Sequence, residues 1–336
     1  MPFKYFICET TGEHTAPLDC IECARQGARP GCQMTPAILS GIIRQQRPNS
    51  FALEKARQAW NGQSEIDHAL TVTELLGCPR KNRLMKEVDW GEKPANLYWA
   101  YRGTLFHNEA ELYAEAEPTV VSEERLFWFF RFNGQVVALS GQPDLLVYRP
   151  EGWHILDYKT IKQIPGQIFR HICAETGAVI YESQWKVRGK QVNCPHCVTK
   201  HPIGEITIQK LPPQPRGSHL KQIQFYSLLI EQNSASLAGK IVSDEVLDEA
   251  PVNSAEIVYL DMSGALRLAV PVWSREECVA LLRDRLALHM NPEPDILKEP
   301  EDLWVCDYCP VRGECERQFG GPVGKAMLEA QAVKTA

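Results

Sequence analysis

The run Arg125-Leu-Phe-Trp-Phe-Phe-Arg-Phe132, Asn133-Gly134, Gln135-Val-Val-Ala-Leu-Ser140, Asp144-Leu-Leu-Val-Tyr148, Arg149-Pro-Glu-Gly152, Trp153-His-Ile-Leu-Asp157-Tyr158-Lys159 decides the fold. Its aromatic and β-branched residues come in short blocks bounded by turn residues, the mark of successive strands. Asn133-Gly134 suits a two-residue hairpin with positive φ at both positions. The whole stretch reads as an antiparallel meander. If Arg149–Gly152 closes as a four-residue turn, Tyr148 lies opposite Trp153. The same register then sets Asp144 opposite Asp157, with both side chains on one face. Lys159, two residues past Asp157, shares that face.

Two carboxylates at close range repel unless a cation lies between them. Hard oxygen ligands favour magnesium or manganese, so Asp144 and Asp157 are candidate ligands and candidate catalytic residues. A lysine beside them can position or deprotonate water and offset charge developing on a phosphate. Upstream, Gly103-Thr-Leu-Phe-His107 opens a helical stretch running to about Glu117, where His107 could add a nitrogen ligand. Downstream, Gln222 and Tyr226 are spaced i,i+4 on one helix face. Singly, each of these has an ordinary packing or surface reading.

The chain has 336 residues and twelve cysteines. In a reducing compartment, clustered cysteines are more often metal ligands than disulfides. Cys8, Cys20, Cys23 and Cys32 form a self-contained set able to complete a tetrahedral zinc shell in a segment too short for its own core. Cys173, Cys194 and Cys197 need a fourth donor for zinc, and either His201 or His171 could supply it. Cys306, Cys309 and Cys315 also lack one. Cys278 follows the capping box Ser274-x-x-Glu277 and lies in an apolar helical pattern, so it reads as core, leaving Cys78 as the distant fourth thiolate. That split spacing suits an iron–sulfur cluster better than zinc.

In this order the features resemble the RecB-like branch of the PD-(D/E)xK nuclease superfamily, and within it the iron–sulfur exonuclease family associated with CRISPR adaptation, the fourth Cas family. The matching positions are Cys78, Gly103 to His107, Pro143-Asp144, Asp157-Tyr158-Lys159, Gln222 to Tyr226, and Cys306, Cys309, Cys315. The resemblance implies a restriction-endonuclease-like α/β core: a central mixed sheet flanked by helices, with an iron–sulfur clasp and, here, zinc-binding additions. It implies that His107, Asp144, Asp157 and the Tyr158 carbonyl bind magnesium or manganese and that Lys159 is the catalytic lysine. Gln222 and Tyr226 would shape the rim, and Cys78, Cys306, Cys309 and Cys315 would hold a four-iron four-sulfur cluster. The implied activity is cleavage of DNA, often single-stranded or at ends. The N-terminal cysteine module and the insertion at 165–215 depart from the family's minimal pattern.

The segments expected are a zinc module at 1–40, a nuclease core at 41–164 and 216–320, an inserted zinc-binding segment at 165–215, and a tail at 321–336. Basic side chains number 36 against 42 acidic ones, which argues against a polyanion-coated surface but allows a local patch. One candidate patch is Pro79-Arg-Lys-Asn-Arg-Leu-Met-Lys86, followed by Trp90, Tyr98, Trp99 and Tyr101, which suits a single strand by charge and stacking. No apolar run is long enough to span a bilayer, and the start is not a secretory signal, so a cytoplasmic protein with no membrane partner is expected. Expected partners are DNA and a CRISPR integrase complex or helicase. The competing reading is a non-catalytic DNA-end or motif-binding subunit on the same scaffold.

Overall fold

In the computed structural model, which describes residues 3–46, 51–60, 62, 65–183, 191–197, 199–241, 250–291 and 304–319, the decisive hairpin has the expected register. Strand Leu145–Arg149 runs antiparallel to Gly152–Thr160, with Arg149 opposite Gly152, Tyr148 opposite Trp153 and Leu145 opposite Leu156. Gly152 takes φ 126°, and a Cβ there would lie 2.3 Å from the Pro251 carbonyl oxygen, so only glycine fits this turn.

Gly152–Thr160 is the middle strand of a five-stranded mixed sheet, ordered Ala265–Val270, Val252–Leu260, Gly152–Thr160, Leu145–Arg149, Val120–Ser122. Val252–Leu260 runs parallel to it, and the other pairings are antiparallel. A parallel neighbour requires a crossover, and helix Gly217–Gln232 lies on that connection. Its residues from Ile223 to Ile230 are all buried, as expected of a helix enclosed on every side. It packs with Trp153, Ile155, Ile257 and Tyr259, so the main core lies on that face of the sheet. Each such large apolar side chain contributes about 1.5–3 kcal/mol through burial. On the opposite face, helix Pro94–Ala116 brings Ala114 against Leu145, Leu156 and Tyr158.

The meander does not continue as one sheet. Leu126–Phe132 and Gln135–Gly141 form a hairpin, with Asn133 at φ 49° and Gly134 at φ 81°. The other edge of Gln135–Gly141 is taken by the parallel strand His68–Thr71, not by Leu145–Arg149. Pro143, which has no N–H to give a ladder, lies between the two hairpins. The helix bearing His107 also differs from expectation, because it begins at Pro94 rather than near Gly103. Pro94 stands at a first-turn position, where proline's fixed φ and missing N–H are tolerated. His107 therefore sits in the fourth turn.

Arg285, buried in helix Arg275–His289, donates to the Leu75 and Leu76 carbonyls at the end of helix Val72–Leu76. Cys78 is not on that helix; it caps the next one, Pro79–Glu87. Helix Arg312–Phe319 packs on Pro79–Glu87, with Val311 and Cys315 against Leu84 and Trp90. At the N-terminus, strand Phe3–Ile7 pairs with His14–Thr15 and with Trp90–Glu92, and Phe6, Ile21, Leu39 and Ile42 form a small separate core. The insertion contains a three-stranded sheet, Val179–Ser183, Ile168–Cys173, Ile206–Leu211, and the hairpin Gln191–Cys194 with Thr199–Pro202. Its two ends are tied close together: the Ile164 N–H donates to Asp261 at 3.0 Å, and the Arg216 N–H to the Tyr259 hydroxyl at 3.0 Å. The tail expected at 321–336 lies outside the described residues.

The basic patch proves to be mostly internal bonding. Arg80 lies over the Phe319 ring at 4.6 Å, Arg83 pairs with Glu87 and Lys86 with Glu74. Trp90 is buried, and Tyr98 and Tyr101 pack on the N-terminal core; Trp99 is the exposed member of that set. Among the described residues, no helix is long and apolar enough to cross a membrane.

Candidate functional site

Strand Leu145–Arg149 stops where Gly152–Thr160 continues, and the site is built at that step. Asp144 lies one residue beyond the ladder. Its Oδ2 accepts the Tyr158 backbone N–H at 2.6 Å, which fixes the carboxylate beside the extended strand. His107 reaches the same place from the helix on the opposite face. Its Nδ1 lies 3.1 Å from Asp144 Oδ1 and 2.9 Å from Glu123 Oε1. Donor atoms of His107, Glu123 and Asp144 all lie within 4.8 Å of one another, so this group could hold a metal ion. Burial opposes charge on His107, but the Asp144 and Glu123 carboxylates outweigh it and push its pKa up to about 10.

Glu123 was not anticipated. It has φ 48°, a left-handed conformation that costs a non-glycine residue roughly 1–3 kcal/mol and often marks functional sites. Its N–H donates to the Asp144 carbonyl at 3.1 Å, and Gln142, itself bonded by Arg125, donates to its other carboxylate oxygen. No spacing in the sequence distinguishes Glu123 from Glu124.

Asp157 lies outside that tight group but next to it. It is fully buried, and its Oδ1 has no hydrogen-bond partner. Lys159 Nζ sits 2.5 Å from its Oδ2 as an ion pair. Burial pushes the Asp157 pKa up to about 6, with Lys159 pulling it down and Asp144 pushing it further up. Burial also opposes charge on Lys159, yet Asp157 and Asp144 hold its pKa above the ordinary lysine range. A buried carboxylate oxygen left without a donor is costly. Together with Asp144, Glu123 and an imidazole, it makes an oxygen-rich donor set that fits a hard divalent cation.

Gln222 Nε2 donates to the Tyr226 hydroxyl at 2.7 Å, so the expected i,i+4 pair is in contact. Burial first, then the Asp157 and Asp144 charges, raises the Tyr226 pKa well above normal, leaving a neutral hydroxyl. His219 is a second unanticipated residue, one turn before Gln222 on the same helix. Its Nδ1 is 3.0 Å from the Tyr259 hydroxyl, and burial, followed by the Lys159 and Arg216 charges, pushes its pKa down to about 3. The i, i+3, i+7 series His219, Gln222, Tyr226 was the available signal.

The inserted cysteines close into a compact group with His201. Cys173 Sγ is 3.4 Å from Cys197 Sγ and 3.7 Å from His201 Nε2, and donor atoms of Cys173, Cys194, Cys197 and His201 all lie within 4.8 Å of one another. His171, the rival donor, is buried and stacked on Tyr181 at 4.4 Å. Cys78 and the C-terminal cysteines are not gathered within 4.8 Å of one another as that group is, but they lie near enough that burial, then the Cys78, Cys309 and Cys315 charges, pushes the Cys306 pKa up to about 11. At the N-terminus, burial and then the Cys32, Cys23 and Cys8 charges push Cys20 up to about 11. Hydrogen bonds from Thr10 and Thr11 lower Cys8 to about 6. Cys278 is a fully buried core thiol, as expected.

No family model matches this chain, and no curated protein matches it. Among solved structures, one titled "Crystal structure of SSO0001" is similar over 80% of this chain and 96% of that chain, at 15% identity and a TM-score of 0.44. At that score the likeness carries no argument.

Proposed function

We propose that the chain is a metal-dependent DNA nuclease of the RecB-like PD-(D/E)xK type, hydrolysing phosphodiester bonds in single-stranded or end-containing DNA. The observation that carries this reading is Asp157, fully buried and ion-paired with Lys159, beside the His107–Glu123–Asp144 group. His107, Asp144, Asp157 and Glu123, with the Tyr158 carbonyl, would hold magnesium or manganese, which supplies Lewis-acid activation of water and neutralises phosphate charge. Lys159, held as an ammonium by the two aspartates, offsets charge building on the phosphate oxygens rather than acting as a base. Tyr226, oriented by Gln222, offers a neutral hydroxyl at the same face. Asp144 also accepts the Tyr158 N–H, so the strand that carries Asp157 and Lys159 stays in place as the carboxylate works.

Cys78, Cys306, Cys309 and Cys315 hold a four-iron four-sulfur cluster in this proposal, clasping the C-terminal helix to Pro79–Glu87. Zinc occupies Cys173, Cys194, Cys197 and His201, and a second zinc Cys8, Cys20, Cys23 and Cys32. Service in CRISPR adaptation or in DNA repair, beside an integrase or helicase, belongs to the same proposal. Asp144→Ala tests it. Magnesium- or manganese-dependent cleavage of a labelled single strand should fall on the order of a thousandfold, with the iron and zinc content unchanged. A variant that still cleaves at the parent rate refutes the site.

A further inference from the structure

Helix Pro94–Ala116 carries more than His107. Gly103 lets it approach the central sheet closely: a Cβ there would lie 3.0 Å from the Thr160 hydroxyl, one residue past Lys159. Next to that crossing, Arg102 lies over the Trp99 ring, 4.8 Å from guanidinium carbon to ring centroid, and its Nη2 is 3.2 Å from Met262 Sδ. Met262 is 81% exposed at the tip of the turn joining Val252–Leu260 to Ala265–Val270, and Trp99 is 37% exposed. The turn is held stiffly, because the Asp261 carboxylate accepts the Ser263 and Gly264 N–H groups and that of Ile164. An aromatic face, a guanidinium and a polarizable thioether therefore meet in the open on a fixed support. That combination suits a flat, π-rich ligand beside an anion.

Position and charge narrow the ligand. Trp99 is eight residues from His107, about 12 Å along the helix axis, so one extended strand can touch both. Exposed Lys162 follows Thr160 by two residues, and the charge of exposed Arg216 acts with that of Lys159 on His219, in a chain of formal net charge −6. The helix's other exposed aromatic, Tyr113, has Glu111, Glu115 and Glu117 for neighbours, which repel phosphates. The attractive end is the Trp99 end.

We propose that Trp99, Arg102 and Met262 form a stacking platform for a base of single-stranded DNA, with the phosphates drawn by Arg102, Lys162 and Arg216 toward the metal group. This rests on the nuclease reading and adds which strand form is gripped and where. A duplex keeps its bases stacked on one another and cannot use the platform.

The test is binding of the full chain, without divalent metal, to a fluorescent twelve-nucleotide oligo-dT, an abasic strand of equal length, and a blunt duplex. Trp99→Ala should weaken oligo-dT binding about tenfold and leave abasic binding as it was, because stacking on one base is all that is lost. Trp99→Phe should restore most of the affinity, which also guards against misfolding as the cause. Equal oligo-dT affinity in Trp99→Ala and the parent overturns the platform, as does an equal loss on the abasic strand or the duplex. A parent chain that binds no single strand and cleaves none sinks the nuclease reading together with the platform. Parent cleavage that is indifferent to Trp99 sinks the platform alone.

Discussion

Among the described residues, two groups gather metal-ligating atoms within 4.8 Å, and they are built in opposite ways. Cys173 ends a strand of the insertion's three-stranded sheet, Cys194 and His201 lie on its separate hairpin and Cys197 in that hairpin's turn, and Cys173, Cys194 and His201 are buried. Three thiols and an imidazole are enough to fill a four-coordinate shell and leave no position open, as in structural metal sites. His107, Glu123 and Asp144 come from a helix, a bend and a strand end far apart in sequence, with Asp157 and Lys159 alongside. Two carboxylates and an imidazole, only three donors, leave positions open. The closed group can do little but hold the chain together. The incomplete one is where chemistry can occur.

The largest test of this contrast is Cys194→Ser. Structural zinc contributes on the order of 10 kcal/mol in small modules. The variant should lose one zinc per chain, and the insertion should become sensitive to limited proteolysis, while metal-dependent cleavage changes far less. Cleavage lost in step with zinc would show that the two groups are not separable. A smaller effect is expected at the open group: Glu123→Gln should lower manganese affinity about 10- to 100-fold, seen as a shift in the activating concentration, with little change in zinc content. Unchanged activation would remove Glu123 from the site.

The open group should also show a pH dependence. Without metal, the raised pKa of His107 keeps its ring protonated as pH rises through 7 toward about 10, and only the neutral ring can act as a ligand. Metal binding must therefore release that proton, and affinity should rise about tenfold per pH unit across that range and level off above it. Titration calorimetry in buffers of different ionisation enthalpy would count the proton. A pH-independent affinity between 7 and 9 would place His107 outside the ligand set. The closed thiol group should show no slope from His107 at all.

The same contrast explains what could be read from the sequence. Register is a local property of a hairpin, so the Arg149–Gly152 turn was enough to place Asp144 near Asp157. The inserted cysteines declared themselves by a Cys-x-x-Cys step, although the choice of His201 over His171 needed the fold of the Gln191–Pro202 hairpin. Glu123 left no trace, because its role depends on a left-handed backbone and on a helix from elsewhere in the chain. The single meander failed because local strand propensity does not say which edge a strand offers. His68–Thr71 took an edge that the neighbouring hairpin was expected to fill. The basic run at Arg80 to Lys86 is legible as charge but not as bonding: local acids and one aromatic ring pair with Arg80, Arg83 and Lys86.

The anchoring of the insertion has a historical consequence. Both ends are bonded within Tyr259–Asp261 at the rim of the central sheet, so the segment leaves and returns through a single doorway. Closing a short loop across that gap costs little chain entropy, and the cost grows only slowly with length. A lineage could gain, lose or exchange the whole module at that doorway without re-threading the sheet. One deletion can therefore remove the module while leaving the strands of the central sheet in order.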